Sequence, residues 1–575
     1  MKLAQSYKQP STARINDDGM GFALATDLNR PGVFLNAGVK DGLSFSRNML
    51  ALHRIVCTNM IKIQKDHSSY QKWVEGEYFK ELGKVLKRKN IKRLIKKEGG
   101  LEKEIKLLKK SITYNINESR RNFLKYSAAL GAFWGWVYKQ DHEAWVVLDP
   151  VVSVQPDAVI FEAFSLDESM YGRVTLPNDQ LELNEPLSRG TTNIDFSQQL
   201  ANEFDRVRSY RPLDLKVGYK NVEISTNLSS AVEKKIDLPE SWLKGFLEVQ
   251  SASAMPKISL NLTPATVSDL LAVLEQKKDN VSPKSLKFIL EPGKKPWIEI
   301  EPWGIIIKEQ EHFYKGNEIQ SIRIWGRRRL MVLKDLLPHA TELELELLGS
   351  GLPSFWRIRS TDIEMDLGLS GWSSNDWASQ TKFSLMSNID KLNEKEIKRV
   401  AGVLFQSNGM SVDEIVAKTG LERLTVSSAL QKLCSRGQAM FDFHKKMYRW
   451  RELFPEKLIP KDLKESPKIK NALKILAANK LNITERTKND QGLYVKAVIP
   501  KKNKETVVSI LDSKFPPKPR AQDFFHMELN FDKDGRAIKM NCSCIEFKKT
   551  SLKKGPCSHL IALMKKAESD TEVNI

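Results

Sequence analysis

Four side chains near the C-terminus have the types and the spacing of metal ligands. One residue separates Cys542 from Cys544, one separates Cys557 from His559, and twelve residues lie between the two pairs. Each pair can present two ligands to one ion. Three thiolates and one imidazole suit tetrahedral Zn²⁺, with bonds of about 2.3 Å to sulfur and about 2.0–2.1 Å to nitrogen. The alternative is three buried cysteines beside an unrelated histidine. Because protein would fill all four positions, the spacing predicts one structural zinc site that is closed to water and substrate.

The C-x-C-x12-C-x-H spacing resembles that of the SWIM zinc finger, a small β-β-α module. The flanking sequence agrees, because residues 536–541 predict a strand and an apolar run at helical spacing follows His559. The loop between the ligand pairs is basic, with Lys548, Lys549, Lys553 and Lys554. The resemblance implies contact with nucleic acid or with protein, and these four lysines are the candidate contacts.

The composition limits the class of protein. A chain of 575 residues predicts three to five domains, and 41% hydrophobic residues suffice for ordinary cores. We expect no membrane span, since no run of about 18 apolar residues occurs, and the polar N-terminus predicts no secretory signal. Five cysteines, three of them in a metal spacing, favour a reducing cytoplasm over disulfides. Cys57 and Cys434 lie in helical patterns and are interpreted as core residues.

The net charge of +20 is concentrated in two zones. Residues 81–125 carry 15 Lys and Arg against 5 Asp and Glu, and residues 456–575 carry 25 against 15, so each zone has a net charge of +10. The remaining chain is neutral. Two basic zones on a neutral body indicate surfaces for acidic partners, although a solvated lysine-rich face is an equal alternative.

Residues 393–452 predict three helices followed by a hairpin. The helices are expected at about 394–406, 411–419 and 422–436, and the strands at 439–443 and 447–450. Ser411 followed by Glu414 is a capping box for the second helix. This order resembles a winged helix, in which the third helix reads the major groove and the hairpin contacts the backbone. The candidate contacts are Arg423, Thr425, Ser427, Ser428, Gln431 and Lys432 on the helix, and Lys445 and Lys446 in the wing. DNA contact and protein contact remain equal alternatives.

The central region is mostly strand-like and contains adjacent acids, Asp167 and Glu168, with Asp195 further on. An enzyme with a carboxylate site there is an alternative function. Neighbouring residues of a strand point to opposite faces, however, so Asp167 and Glu168 would not share an ion. The glycine-rich segment 348–356 lacks the Lys-Ser/Thr ending of a phosphate-binding loop. The sequence therefore shows no catalytic motif and indicates no small-molecule substrate.

Several phrases extend the resemblance over most of the chain. They are DESMYG at 167–172, GTTNIDFS at 190–197, KIDLPESW at 235–242, IWGRRRL at 324–330, GSGLPSFW at 349–356 and LGLSGWSSNDW at 367–377. In order, and over roughly residues 12–575, they resemble a bacterial SWIM zinc finger family that is typically encoded beside a MoxR-type AAA+ ATPase and a von Willebrand factor A protein. The resemblance implies either protein as a possible partner and carries over no catalytic residues.

These observations predict an α+β multidomain protein. We expect N-terminal strands with a basic helical region over 1–140 and a mixed, β-rich central region over 141–390. A winged-helix-like domain is expected over 391–455, a basic linker with a small α+β segment over 456–525, and the zinc-binding ββα finger over 526–575. The expected function is that of a cytoplasmic, non-enzymatic adaptor that binds nucleic acid, protein or both. The alternatives are an enzyme with an unrecognised carboxylate site and a winged-helix DNA-binding regulator.

Overall fold

The structure is a computed structural model. It describes residues 5–7, 11–16, 19–24, 26, 33–58, 150–194, 196–218, 233–235, 240–253, 255–277, 284–371, 376–377, 393–442, 445–453, 467–489, 492–501, 524–532, 535, 537–550, 552 and 555–569. The basic zone of residues 81–125, which belongs to the helical region predicted within 1–140, lies outside these ranges. Within them, no helix has both the length and the apolar character that crossing a membrane requires.

In chain order, the described strands and helices are β1 (Gln5–Tyr7), β2 (Thr12–Asn16), β3 (Gly19–Leu24), β4 (Leu35–Val39), α1 (Gly42–Cys57), β5 (Val151–Val154), β6 (Ala158–Phe164), β7 (Met170–Pro177), β8 (Leu181–Leu183), β9 (Gly190–Asn193), α2 (Gln198–Asp205), β10 (Leu213–Val217), β11 (Glu233–Lys235), α3 (Glu240–Ser253), β12 (Ile258–Leu262), α4 (Pro264–Gln276), β13 (Ser285–Leu290), β14 (Trp297–Ile300), β15 (Ile305–Lys308), β16 (Gln320–Trp325), β17 (Glu342–Leu347), β18 (Ser354–Ser360), β19 (Ile363–Leu369), α5 (Glu394–Phe405), α6 (Val412–Thr419), α7 (Arg423–Ser435), β20 (Ala439–Asp442), β21 (Met447–Trp450), α8 (Pro467–Ala477), β22 (Asn482–Asn489), β23 (Gly492–Pro500), β24 (Phe524–Asp532), β25 (Ala537–Cys542), α9 (Ile545–Thr550) and α10 (Ser558–Ser569). Short 3₁₀ helices occur at Asn178–Gln180, Arg327–Leu333 and Leu337–His339.

An eight-stranded antiparallel sheet forms the centre of the described structure, in the order β12-β17-β18-β19-β7-β6-β5-β9. Every residue of β5, β6 and β19 is buried, which means that both faces of the sheet are covered. One face carries α1. A Cβ at Gly172 in β7 would lie 2.6 Å from Ile55 Cδ1 and 2.9 Å from Leu52 Cδ1, so a larger residue there would require these side chains of α1 to shift.

The N-terminal strands belong to a five-stranded sheet in the order β2-β3-β10-β4-β8. Its member β10 runs parallel to β3 and antiparallel to β4. The sheet therefore combines strands from both sides of the domain boundary predicted at residue 140, which itself lies outside the described residues. Stacked Phe22 and Phe204, with ring centroids 4.1 Å apart, join this sheet to α2.

Helix α3 and the hairpin β20-β21 cover the other face of the eight-stranded sheet. Trp242 and Phe246 of α3 pack against Phe164, with ring centroids at 5.4 and 5.0 Å. Arg451, which follows β21, pairs with Glu162 of β6, and both side chains are buried. The predicted order of three helices and a hairpin is present in α5, α6, α7, β20 and β21, and the Ser411–Glu414 capping box is formed. This helix–hairpin module is fixed to the central sheet.

A row of alternating charges crosses the face of the eight-stranded sheet that α3 and the hairpin cover. The register places in line Glu344 of β17, Arg357 of β18, Asp366 of β19, Arg173 of β7 and Glu162 of β6. Arg357 bonds to Asp366 at 2.9 Å and to Glu344 at 2.7 Å. Opposite charges on directly paired residues stabilise a register, because a shift by one residue would turn every member of the row to the other face.

A second sheet has the order β22-β23-β24-β25 and contains the strands of the predicted finger. Helix α10 packs against β24 and β25 on one face of this sheet, and α8 packs on α10. Hydrogen bonds connect residues 467–500 with the predicted finger. The Lys468 ammonium donates to the Pro556 carbonyl at 3.1 Å, and the Lys566 ammonium donates to the Leu481 carbonyl at 2.6 Å. The ββα unit predicted over 526–575 is thus extended by residues 467–500. The five-part division of the chain stays a prediction.

Candidate metal centre

The four predicted ligands meet at one end of this sheet. Cys542 ends β25, Cys544 immediately precedes α9, and Cys557 and His559 lie at the start of α10. Their ligand atoms all lie within 4.8 Å of one another. Thiolates bound tetrahedrally at about 2.3 Å from one Zn²⁺ would be about 3.8 Å apart. The cluster therefore has the dimensions of a four-coordinate site, and the zinc cofactor predicted from the sequence is confirmed.

The protonation of the thiols also fits a bound cation. A hydrogen bond from the Cys542 thiol lowers the pKa of Cys557 to about 4 against the opposing effect of burial. The same hydrogen bond, together with burial, raises the pKa of Cys542, and burial raises the pKa of Cys544. Three buried thiols thus cannot all ionise next to one another unless a cation balances their charge. A bound metal ion deprotonates coordinating thiols outright.

The surroundings of the ligands support a metal as well. The backbone N–H of Phe547 donates to Cys544 Sγ at 3.3 Å, a contact that favours the thiolate. His559 Nδ1 is buried and has no hydrogen-bond partner among the described residues. A buried polar atom without a partner costs about 1–3 kcal/mol, and coordination of the ring to a cation would remove that cost. Zinc would hold β25, α9 and α10 together at this point and contribute directly to folding.

The basic loop of the finger is partly described. Lys548 and Lys549 lie on α9, and both are exposed. Lys553 and Lys554 fall outside the described residues. The Nζ atoms of Lys548 and Lys549 make no ion pair within the described part of the chain, so both ammonium groups are available to an external anion.

The contact residues predicted on the helix–hairpin module are placed differently. Gln431 is only 6% exposed, and its side-chain amide donates to the Tyr448 hydroxyl at 3.3 Å, so the structure does not present it to a partner and its role as a contact residue stays a prediction. Ser427 is buried too, at 2%. Arg423 forms an ion pair with Asp413 of α6. The sequence did not show these positions because α7 is apolar on a wide face that turns Ser427 and Gln431 inward.

The remaining candidates of this module are only partly accessible. Lys445 forms an ion pair of 3.0 Å with Asp157 in the turn before β6, so the wing lysine is directed toward the central sheet. Lys432 is half-buried, and burial lowers its pKa. Lys446 is exposed, in the left-handed conformation with φ of 52°. Of the two wing lysines, Lys446 alone has no ion pair within the described residues.

A buried ionic cluster attaches the hairpin to the sheet. Asp442 of β20 lies 2.8 Å from Arg449 and 3.2 Å from Arg173, and all three side chains are at most 2% exposed. Arg449 also reaches Asp157 at 2.5 Å. Burial alone would raise the pKa of Asp442, but the two guanidinium groups outweigh it and hold that pKa below its usual value. Sequence reasoning missed this hairpin clamp, because Arg173 and Asp442 are far apart in the chain.

The acids of the central region do not converge. Asp167 is buried and accepts hydrogen bonds from the Ser165 hydroxyl at 2.6 Å and the Ser169 N–H at 3.0 Å. Glu168 has φ of 54° and accepts from the Ser241 hydroxyl at 2.5 Å. Asp195 lies outside the described residues. The turn formed by Asp167 and Glu168 directs the two carboxylates to different partners.

A concave surface beside the zinc ligands was also missed by sequence reasoning. This finger pocket has a volume of about 380 Å³. It is lined by His526, Glu528, Asn541, Cys542, Ser543, Phe547 and Lys548. Glu528 and Asn541 are directly paired across β24 and β25. Alternation along β24 and β25 indicates which side chains face outward, but the pocket exists only because α9 folds back beside them.

Comparison with known proteins identifies the finger. The model of the SWIM zinc finger family matches residues 529–568. The chain therefore carries a SWIM zinc finger with a Cys₃His cluster near its C-terminus, and the predicted resemblance of this segment is confirmed. No curated protein matches the chain.

Similar solved structures include two proliferating cellular nuclear antigen (PCNA) proteins. One is proliferating cellular nuclear antigen from Entamoeba histolytica, with 11% identity over 40% of this chain and 92% of that chain, at a TM-score of 0.28. The other is PCNA from Thermococcus kodakaraensis, with 12% identity over 39% of this chain and 90% of that chain, at a TM-score of 0.27. A likeness at this level identifies neither the fold nor the function.

Proposed function

We propose that this chain is a non-enzymatic adaptor that binds nucleic acid through its SWIM finger. The observation that carries the proposal is the pair of exposed lysines, Lys548 and Lys549, held on α9 directly after the ligand Cys544. Because zinc would order the turn before α9, the two ammonium groups are presented on a rigid support. Lysines of this kind contact the phosphate backbone and carry no sequence information.

The charge distribution supports the same partner. Residues 456–575 have a net charge of +10, although the chain outside the two basic zones is neutral. The helix–hairpin module is a weaker candidate, because its wing lysine Lys445 pairs with Asp157 and the amide of Gln431 is buried. We therefore place nucleic-acid contact on the finger and assign the module a structural role on the central sheet. A reducing cytoplasm, which keeps the three thiols available to zinc, is the compartment we propose.

A salt series tests this function. Fluorescence anisotropy would measure binding of the zinc-loaded full chain to labelled single-stranded and duplex DNA between 50 and 200 mM salt. Log K falls linearly with log salt, and each phosphate that the protein neutralises makes this slope steeper by roughly 0.7 for single strands and 0.9 for duplex DNA. Replacing Lys548 and Lys549 by Gln removes two charges and should lower the slope by up to about 1.4 for single strands and 1.8 for duplex.

The matched control is the double variant Lys40→Gln and Lys216→Gln. Lys40, in the turn after β4, and Lys216, in β10, are both exposed, so the net charge changes equally while the finger is untouched. Equal effects of the two double variants would show that binding reflects total charge alone. Absence of binding at 50 mM salt would exclude the proposal for a protein this basic.

A partner protein is proposed from the family resemblance. The phrases between residues 167 and 377 resemble a family encoded beside a MoxR-type ATPase and a von Willebrand factor A protein, and either would be a partner of the adaptor. Co-purification of the zinc-loaded chain with the purified ATPase, in the presence and absence of ATP, tests this association. Elution of the two proteins as separate peaks under both conditions would remove it.

A further inference from the structure

We propose that the finger pocket accepts one unpaired guanine base of a single-stranded nucleic acid. This inference rests on the proposed function and adds the base that the site selects. It uses the open face of the sheet β22-β23-β24-β25, the face turned away from α10. The pocket lies at the β24-β25 edge of that face, next to the zinc ligands and to Lys548.

Two polar side chains of the pocket, Glu528 and Asn541, have no partner in the part of the chain that the structure describes. The side chains of Glu528 and Asn541 point from paired positions into the same space, and neither forms a hydrogen bond or an ion pair with another described residue. Lys496 is the other cross-strand neighbour of Glu528, but its ammonium group is 2.9 Å from Glu485 on the opposite side. The Glu528 carboxylate therefore remains available as a hydrogen-bond acceptor.

The carboxylate determines what the pocket can hold. It repels phosphate, so the backbone of a nucleic acid belongs outside, near Lys548 and Lys549. An ionised carboxylate only accepts hydrogen bonds, and two parallel N–H donors satisfy both of its oxygens. Among the standard bases, guanine alone has two adjacent donors, N1–H and the N2 amino group, on its pairing edge. The amide group of Asn541, beside Glu528, can donate to the neighbouring acceptor O6.

The walls and the rim of the pocket suit a base and its flanking nucleotides. The ring of Phe547 forms an apolar wall, and the exposed residue His526 is also part of the lining. On the same open face, the next row of paired residues contains Tyr494, Asn530 and Lys539. The ring of Tyr494 can stack on an adjacent base, and the ammonium group of Lys539 can neutralise a phosphate beside it. A duplex is excluded, because pairing hides the guanine edge that Glu528 would bind.

Base analogues test the pocket on the unmodified protein. Labelled twelve-nucleotide thymidine strands would carry one central guanine, adenine, hypoxanthine or 7-deazaguanine, and anisotropy would measure their binding to the zinc-loaded full chain. We expect guanine to bind roughly 5- to 150-fold more tightly than adenine, the range of a good bidentate contact. Hypoxanthine lacks the N2 amino group and should lose most of this preference. In 7-deazaguanine the pairing edge is intact, so the preference should remain.

Variants connect the preference to its residues. Glu528→Gln keeps the shape but places a donor opposite a donor, and the guanine-to-adenine ratio should fall to about one. Glu546→Gln, which removes an exposed carboxylate of α9 that pairs with Lys468 and does not line the pocket, is the matched control and should keep the wild-type ratio. Zinc content of one ion per chain in both variants would show that the finger is intact.

The outcomes separate this inference from the proposed function. Salt-dependent binding with equal affinity for all four strands, or a guanine preference that survives in Glu528→Gln, overturns the pocket and leaves the adaptor proposal standing. Absence of binding to every strand at low salt overturns both. Loss of the preference in Glu528→Gln alone, together with weak binding of the hypoxanthine strand, supports the pocket.

Discussion

The hairpin clamp makes the most specific stability prediction. In Asp442→Ala, Arg173 loses its partner at 3.2 Å and Arg449 loses the one at 2.8 Å, while both guanidinium groups stay at 1% exposure. Removing one partner of a buried ion pair typically costs about 3–5 kcal/mol, because it leaves an uncompensated buried charge. Arg449 keeps Asp157, and Arg173 keeps its cross-strand neighbours Asp366 and Glu162. We therefore expect a loss of about 3 kcal/mol, at the lower end of this range.

Hydrogen exchange followed by mass spectrometry suits this prediction, because a chain of several domains does not unfold in two states. A loss of about 3 kcal/mol in local opening free energy corresponds to a roughly 150-fold acceleration of exchange in β20 and β21. The matched control is Asp413→Ala, which removes the exposed pair with Arg423 and should cost less than about 1 kcal/mol. The isosteric Asp442→Asn separates the loss of charge from the loss of volume.

The clamp also has a defined pH dependence. Because the pKa of Asp442 is lower in the folded protein than its ordinary value of 3.8, its contribution is fully present above about pH 4 and is lost as the pH falls through the lowered value. Asp442 should therefore cause no change in hydrogen exchange of the hairpin when the pH is varied near neutrality. If Asp442→Ala and Asp413→Ala accelerated exchange equally at pH 7, the cluster would not hold the module on the sheet.

Three further predictions concern other parts of the structure. Cys544→Ser should abolish zinc binding, measured by metal analysis. It should also increase hydrogen exchange as far as β22 and β23, because these strands share a sheet with the finger. Unchanged protection of β22 would show that the sheet folds without zinc. Burial, with a smaller effect of Arg54, lowers the pKa of His53 to about 4 from 6.5. Because the folded protein favours neutral His53, the free energy of unfolding should keep its full value above pH 6.5 and fall by about 3 kcal/mol as the pH drops to 4. Urea unfolding of α1 and its sheet, measured at several pH values, should show a smaller pH dependence in His53→Leu than in the wild type. Equal pH dependence in the two proteins would contradict the assignment to His53. Gln431→Ala should cost about 1 kcal/mol of stability, because it removes the hydrogen bond to Tyr448, and should leave nucleic-acid affinity unchanged; a change in base preference would return α7 to the binding surface.

Local patterns predicted the helices of the helix–hairpin module closely. The helix expected over 394–406 occupies Glu394–Phe405, and the helix expected over 411–419 occupies Val412–Thr419. The Ser411–Glu414 capping box is formed, and Gly420 ends the helix with φ of 64°. Such boundaries depend on bonds within a few residues, so the sequence contains all that is needed to predict them.

The zinc site was predictable for a similar reason. Two short ligand pairs, Cys542 with Cys544 and Cys557 with His559, constrain the ion more strongly than the fold around them does, because few side chains bind zinc and its geometry is tetrahedral. The tertiary structure added what surrounds the site. It extended the sheet by β22 and β23, and it placed Glu528 and Asn541 beside the metal ligands.

The availability of each polar side chain was decided by tertiary structure alone. Gln431, Lys445 and Lys548 are all polar residues that the sequence marks as candidate contacts, yet the first is buried, the second pairs with Asp157 and the third is exposed. The difference depends on which surfaces pack together across long separations in the chain, and no local periodicity encodes that. The sequence by itself determined the metal, its ligands and the helix boundaries, since these follow from short-range chemistry. Long-range packing of the hairpin on the central sheet determined which residues remain for a partner to bind.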